Sequence, residues 1–530
     1  MQNYALTVNQ FLDHAAKWWG EQEIVAACGD ATDDRISYTN FRVRSNLLSG
    51  ALQSIGLCFG DRVGTLAWNT RHHLEMYYAT MGAGLVCHTL NPRFTPEHLA
   101  TILNDAGNRA VAVASNLVPL LRKVLPKCPL IESVIVMDDV CPDTNFDFGP
   151  EMEAWFHDDL IGVRGRPVPW GQFDENAAAG LCYTSGTTGK PKGVVYSHRS
   201  NYLHTLRNLQ ADSIGLKSSD VVLVAVPMFH ANGWGLPFAA PGAGAKMVLP
   251  GRNTDGARLA ELMRRERVTL AVGVQTVWMG VVDHLEKTGT ELPDLQRLLI
   301  GGSKCPDALI RRMEKCLGAR VQTSWGMTEL SPVGTVMPMD APAEAVATCG
   351  RPPIGLDMKL TDADGVTLES QRNSVGHLKV KGHSVVERYF NSDTEILDDD
   401  GYFDTGDLAC INDAGYLTIC GRSKDLIKSG GEWINPVEIE GIVGGHPSVA
   451  LVAVIGKPDK KWEERPVLVV ETRAGVTVDS SELLELVREK VASWWVPDEV
   501  VMIDSMPLAA TGKIDKRQLR ECIVNQLVFA

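Results

Sequence analysis

The chain has 530 residues, 45% of them hydrophobic and 22% charged, enough for several domain-sized units with substantial buried cores. Its net charge of −14 argues against a general affinity for nucleic acid or anionic membrane, so any anionic ligand must be held by local positive charge. The twelve cysteines are scattered without the close spacing of a zinc knuckle or redox pair, which suits buried thiols in a reducing cytoplasm. No signal-type N-terminus and no run of 18 apolar residues is present, and Leu527-Val528-Phe529-Ala530 is no peroxisomal address. A soluble cytoplasmic protein with no nucleic-acid partner and no membrane insertion is expected.

In chain order, Asn40 to Ile55 reads as an amphipathic helix, Asp61 to Ala67 as a strand and Arg71 to Gly84 as a second helix. Val111 to Ala114, Ser133 to Val136, Val221 to Val226 and Lys246 to Leu249 continue the strand series. Such alternation predicts doubly wound α/β sheets over the first 350 residues. Beyond Gly350, strand-like pieces split by Asp364-Gly365, Asp400-Gly401 and Asn412-Asp413 predict a small β-barrel-like subdomain. After about Ser423 a mixed α+β pattern returns: a helix starting near Glu438, strands over 449–455 and 466–471, and a helix from Ser480 to Ser493. The predicted division is 1–423 and 424–530, with the C-terminal part mobile.

Between two apolar strand-like runs lies Thr184-Ser185-Gly186-Thr187-Thr188-Gly189-Lys190-Pro191-Lys192-Gly193. Glycines free backbone N–H groups to face a ligand, and hydroxyl and ammonium groups add donors, so the run suits polyphosphate. It is not Walker A: two residues, not four, separate Gly186 from Gly189, and Pro191 follows Lys190. A flexible linker would not sit between two strands. A Rossmann dehydrogenase is also disfavoured, since Gly233-Trp234-Gly235 and Gly242-Ala243-Gly244 lack the third glycine.

This run resembles the phosphate loop of the acyl-adenylate-forming enzymes, and further motifs extend the resemblance along the whole chain. Ser324-Trp325-Gly326-Met327-Thr328-Glu329 is similar to the second core signature, with Trp325 where tyrosine is usual. Gly301-Gly302-Ser303-Lys304 resembles the loop forming the adenine and acyl pocket, and Asp407 and Arg422 fall where ribose and phosphate are held. Lys424 takes the pivot position, followed by Gly430, Gly431 and Glu432, which would meet the thiol substrate. Thr511-Gly512-Lys513-Ile514-Asp515-Lys516 resembles the C-terminal catalytic signature.

The resemblance implies two steps: a carboxylate attacks ATP to give an acyl-adenylate, and a thiol then displaces AMP. It gives catalytic roles to Lys513, Glu329 and His230. It assigns ATP to Thr184, Ser185, Gly186, Thr187, Thr188, Lys192, Gly302, Ser303, Lys304, Ser324, Trp325, Gly326, Met327, Thr328, Asp407 and Arg422. Magnesium would sit between Thr184 and Glu329. Little chain follows Lys513, so no fused carrier domain is expected and CoA is the leading thiol. The acyl pocket would involve Trp234, Gly301, Met327 and Pro332. Because the segments assigned to that pocket carry no charge before Glu329, the acid's tail should be uncharged and apolar, with aromatic neighbours that would also suit a thioether. The choice of a short acid such as 3-methylmercaptopropionate is what the overall resemblance implies. Overall texture is similar to the fatty-acid–CoA ligase branch, where a homodimer is expected and medium- or long-chain acids are the alternative. A nucleotide-binding ATPase or regulator is the alternative of another class. Glu329, Asp407 and Lys513 are all retained, which favours an active ligase.

Overall fold

The helix Arg71–Gly82 is buried along nearly its whole length, because apolar residues occupy every side of it and Thr70 caps its start through the His73 N–H. It is the shared middle layer of the large N-terminal part. Met76 and Ala79 pack towards one core, and Leu74, Tyr77, Tyr78 and Met81 towards another. Buried phenols fix the layers: Tyr78 donates to the Pro237 carbonyl at 2.7 Å and Tyr38 to the Ala245 carbonyl at 2.6 Å. The computed structural model describes the chain apart from residues 28–32, 138–145, 151, 185–190, 343–344, 347, 431, 474, 510–512 and 525–530.

On one side of this layer lies a seven-stranded sheet in the order Glu153–Phe156, Ser133–Met137, Ala110–Ala114, Arg62–Leu66, Val86–Leu90, Ala178–Thr184, Lys192–Ser197. All neighbours are parallel except the last pair, an antiparallel hairpin. The other large sheet has eight strands. Its parallel centre runs Arg320–Gly326, Arg297–Gly301, Leu270–Val274, Val221–Val224, Lys246–Leu249, Glu23–Ala26, with Val333–Val336 and Asp34–Ser37 added antiparallel at the edges. These β-branched runs are buried on both faces, as parallel strands must be. A four-stranded antiparallel sheet follows (Leu356–Thr361, Val375–Gly382, Phe403–Ile411, Leu417–Arg422). The expected α/β class and β-rich subdomain are both present.

A separate C-terminal domain is built on Glu432–Ile434, Ile427–Ser429, Glu463–Thr472 and Val449–Asp459, with Glu499–Ile503 parallel to the third of these. Its sheet has a core on each face. Two expectations need correction here. The helix begins at Ser480 but ends at Arg488, not Ser493. Downstream, Arg465 takes the Trp494 carbonyl at 2.6 Å and the Val496 carbonyl at 3.1 Å, which holds that segment out of the helix. The strand starting at Val449 runs on to Asp459, because its partner supplies bonds as far as Glu463.

Candidate active site

The site opens at the carboxyl ends of the parallel strands, where open α/β sheets leave a crevice. Thr184 ends one strand and pairs with Lys192, closing the hairpin whose tip is the phosphate loop. Ser185, Gly186, Thr187 and Thr188 lie outside the described residues. Strand Arg320–Gly326 leads into a 3-10 turn, Thr328–Leu330, that carries Glu329. Gly326 has no room for a side chain: a Cβ there would stand 2.4 Å from the Pro332 carbonyl oxygen. Tyr196 donates to the Thr328 carbonyl at 2.9 Å, and the Glu329 carbonyl accepts the Val386 N–H at 2.7 Å. The Glu329 side chain is thereby buried, at 8% exposure, with Oε1 accepting the Tyr389 phenol at 2.9 Å.

Asp407 and Arg422 are opposite each other on neighbouring antiparallel strands. Arg422 Nε lies 2.7 Å from Asp407 Oδ1, while Trp325 Nε1 donates to Oδ2 at 2.8 Å and Arg422 Nη1 to the Thr405 carbonyl at 3.0 Å. Burial pushes the Asp407 carboxyl above its usual range, opposed by Arg422, the Trp325 indole and Lys513. The tryptophan in place of the usual tyrosine thus supplies an N–H to the carboxylate assigned to ribose.

Lys513 reaches the same cleft from the C-terminal domain. A small hairpin holds it, with the Ala509 N–H donating to the Lys513 carbonyl at 2.7 Å and the Asp515 N–H to the Pro507 carbonyl at 2.8 Å. The residue as a whole is exposed, but its side chain reaches inward over Gly302, which has no Cβ and a positive φ of 92°. Surrounding protein holds the ammonium below the usual lysine range; Arg422 adds to this by repulsion and Asp407 opposes it. His230 is lowered to about 4 by burial, with the Lys513 charge adding to the effect, so the imidazole is neutral. Ser324 Oγ donates to the Ile300 carbonyl at 2.9 Å, whereas Ser303 and Lys304 are exposed.

The acyl side is a run of five residues in left-handed backbone: Ala231 (φ 43°), Asn232 (52°), Gly233 (56°), Trp234 (57°) and Gly235 (77°). The turn brings the Trp234 indole, 8% exposed, against Gly301, where a Cβ would stand 2.9 Å from the ring. Ser331-Pro332 is a cis peptide bond, and the Met327 N–H donates to the Pro332 carbonyl at 3.0 Å.

Three residues missed from sequence underlie this turn, all from helix His198–Asn208. His204 Nε2 accepts the Val333 N–H at 3.0 Å, Arg207 donates to the Val333 carbonyl, and Asn208 donates to the Trp234 carbonyl at 3.3 Å. Burial lowers Arg207 to about 10. The absence of charge expected near the acyl side therefore holds only for its own loops: a buried guanidinium lies behind Val333. The signal was present as polar residues at core spacing, Asn201, His204, Thr205 and Asn208.

Lys424 is exposed in the turn Ser423–Asp425, and Ser423 Oγ bridges His377 Nδ1 at 3.1 Å and the Gly406 carbonyl at 3.3 Å. Gly430 (φ 61°) packs under Trp462 and Glu432 opens its own strand; no described contact joins either to Lys513, Glu329 or Asp407. Gly431 lies outside the described residues.

Comparison with known families decides the class. Residues 12–390 match the AMP-binding enzyme model, and residues 438–513 match the AMP-binding enzyme C-terminal domain. The chain belongs to the AMP-binding enzyme family. It is 43% identical to a 3-methylmercaptopropionyl-CoA ligase of Ruegeria lacuscaerulensis, over 98% of both chains. It is also 39% identical to a medium-chain-fatty-acid–CoA ligase of Ectopseudomonas oleovorans, over 98% of this chain and 96% of the relative. Its fold matches the anthranilate CoA ligase AuaEII in complex with anthranoyl-AMP (TM-score 0.88, 22% identity, 98% of each chain). ATP-bound MatB from Rhodopseudomonas palustris is a further match (TM-score 0.84, 25% identity, 98% of this chain and all of that one). This AMP-binding enzyme is an AMP-forming acid–CoA ligase, with ATP and CoA as co-substrates. No described helix is long and apolar enough to cross a membrane.

Proposed function

We propose that this AMP-binding enzyme converts a short apolar or thioether acid, best represented by 3-methylmercaptopropionate, to its CoA thioester. The observation that carries this reading is the Trp234 indole lying against Gly301, an aromatic wall that would shorten the acyl pocket. The names of full-length relatives support the same choice. A thioether tail would also gain from the aromatic wall, at ~0.3–1.5 kcal/mol per sulfur–aromatic contact.

In the first step the acid's carboxylate oxygen attacks the α-phosphorus of ATP and pyrophosphate leaves. Lys513 brings its ammonium to the charge that grows on the attacking and phosphoryl oxygens. Asp407 and Arg422 hold the ribose, Trp325 bounds the adenine side, and the loop from Thr184 to Lys192 cradles the leaving phosphates. The donors beside them are oxygens, the Thr184 hydroxyl and the Glu329 carboxylate, a set that fits magnesium, which would neutralise phosphate charge there. In the second step the CoA thiol attacks the acyl carbon and AMP leaves with the bonding pair. Domain 424–530 would turn about Lys424 relative to 1–423, withdrawing Lys513 and bringing Gly430, Gly431 and Glu432 to the thiol arm. Neutral His230 would face the exchange. A cytoplasmic homodimer accompanies this reading, tested by sedimentation and cell fractionation.

Pyrophosphate release should depend on an added acid and be fastest in kcat/KM with 3-methylmercaptopropionate among that acid, butyrate, octanoate and palmitate. Octanoate or palmitate in first place would favour the medium- or long-chain reading instead. Release without any acid would sink the ligase mechanism.

A further inference from the structure

We propose that Tyr389 is a positioning residue that keeps the cation of the phosphate loop and the carboxylate of Glu329 apart, so that both remain available to Mg·ATP. The inference rests on the role given above to Glu329. Three described facts meet at this side chain. The phenol donates to Glu329 Oε1 at 2.9 Å. The Lys192 ammonium sits 4.7 Å from the centroid of the same ring. Among the described residues, no ion pair links Lys192 to Glu329 or either of them to any other charge.

Opposite charges facing one ring from two sides would be expected to collapse onto each other. Such a pair would fill the carboxylate's lone pairs with lysine protons and turn those protons away from the phosphates. Tyr389 prevents this in two ways. Its O–H occupies one carboxylate oxygen and leaves the other, and its ring attracts the ammonium electrostatically without engaging the three N–H donors in directed bonds.

The backbone around Tyr389 is tied to both partners. The Phe390 N–H donates to the Gly193 carbonyl at 2.7 Å, next to Lys192, and the Val386 N–H to the Glu329 carbonyl at 2.7 Å. Asn391 Nδ2 adds a bond to the Asp105 carbonyl at 2.9 Å. The segment 386–391 therefore fixes the spacing of two elements more than 130 positions apart in sequence, and the side chain between them acts within that frame.

The test uses the full chain and two variants at Tyr389. Tyr389→Phe keeps the ring and removes the O–H; Tyr389→Leu removes both. Binding of Mn·ATP without any acid is read by electron paramagnetic resonance, beside the Mg²⁺ half-saturation of pyrophosphate release and the melting temperature. Tyr389→Phe should weaken Mn·ATP binding and raise the Mg²⁺ half-saturation about tenfold, the scale of one hydrogen bond to a charged group. Turnover at saturating Mg²⁺ should stay within about threefold, and thioester formation from a preformed acyl-adenylate should be unchanged. Tyr389→Leu should lose more, and that extra loss should vanish in a Lys192→Ala background. If the leucine variant does not fold, the phenylalanine variant decides alone. Metal dependence within twofold of wild type in Tyr389→Phe overturns the proposal, and so does a lowered melting temperature with no other change. Glu329→Gln run alongside separates the cases: if it too leaves metal dependence intact, the assignment of Glu329 has failed rather than that of Tyr389.

Discussion

The Cε of Lys513 lies 3.2 Å from the position a Cβ would take on Gly302, so the lysine of one domain rests on a bare glycine of the other. Gly302 also has a φ of 92°, a conformation L side chains rarely adopt. Lys513→Ala should cut adenylation by ~10²–10³-fold, as loss of one transition-state donor does. Thioester formation from a preformed acyl-adenylate should survive. Gly302→Ala should give a partial copy of the same defect by pushing the ammonium away. Equal loss of both half-reactions in Lys513→Ala would remove the role assigned to it.

For the acyl pocket, Trp234→Ala should cost small acids most, up to ~3–5 kcal/mol if the ring fills their pocket. Longer acids should lose less or gain, at ~0.8 kcal/mol for each methylene placed in the opened space. Gly301→Ala should act in the opposite sense: its Cβ would meet both Ser324 Oγ and the indole, so larger tails suffer more. The kcat/KM series from butyrate to palmitate measures both, and an unchanged ranking would place Trp234 outside the pocket.

Acidification should destabilise the protein below pH 6.5. His88 and His230 are lowered to about 4 and His198 to about 3, each chiefly by burial. The unfolded chain protonates these rings near 6.5 while the folded one does not, so stability present above that pH drains away as pH falls towards 4. At pH 5 a single such ring costs ~2 kcal/mol. His88, fully buried with Nδ1 2.7 Å from Asn108 Oδ1, is the cleanest case. His88→Gln should flatten the fall in melting temperature between pH 7 and pH 5, whatever it does at pH 7. Parallel curves would refute this.

The buried carboxylate of Glu75 joins three helices, meeting Arg44 Nε at 2.8 Å, Arg71 Nη1 at 2.7 Å and His157 Nε2 at 3.3 Å. Burial pushes its carboxyl up, and His157, Arg71 and Arg44 more than reverse this, leaving it below the usual range. Glu75→Ala would remove the buried carboxylate that two guanidinium groups share, leaving Arg44 with Asp158 and Arg71 with Asp34. Because both arginines keep a carboxylate, the expected loss is ~1–3 kcal/mol of stability, with KM for ATP unchanged, read by thermal melts and steady-state kinetics.

Much of this was legible in the sequence where a local rule and a chemical need coincide. The strand before Thr184, the turn carrying Glu329 and the hairpin of Asp407 and Arg422 all combine period-2 patterning with residues of fixed chemistry. What sequence did not reveal depends on partners distant along the chain. Nothing in Ser324-Trp325-Gly326 says that the indole will donate to a carboxylate 82 positions later. Arg207 reads as a surface charge on a helix until Val333 is folded against it. The helix from Ser480 overran because its end is set by Arg465 rather than by a local stop signal. The turn of Ala231 to Gly235 hides because alanine and tryptophan seldom take positive φ.

That turn has a consequence for engineering the pocket. Left-handed backbone costs most residues with a Cβ roughly 1–2 kcal/mol, and Ala231 and Trp234 both bear it. Glycine at position 234 would release this tension as it deletes the ring, whereas alanine deletes the ring and keeps the tension. The two truncations should therefore open nearly the same space, differing by one methyl group, yet melt at different temperatures, with Trp234→Gly the more heat-resistant of the pair.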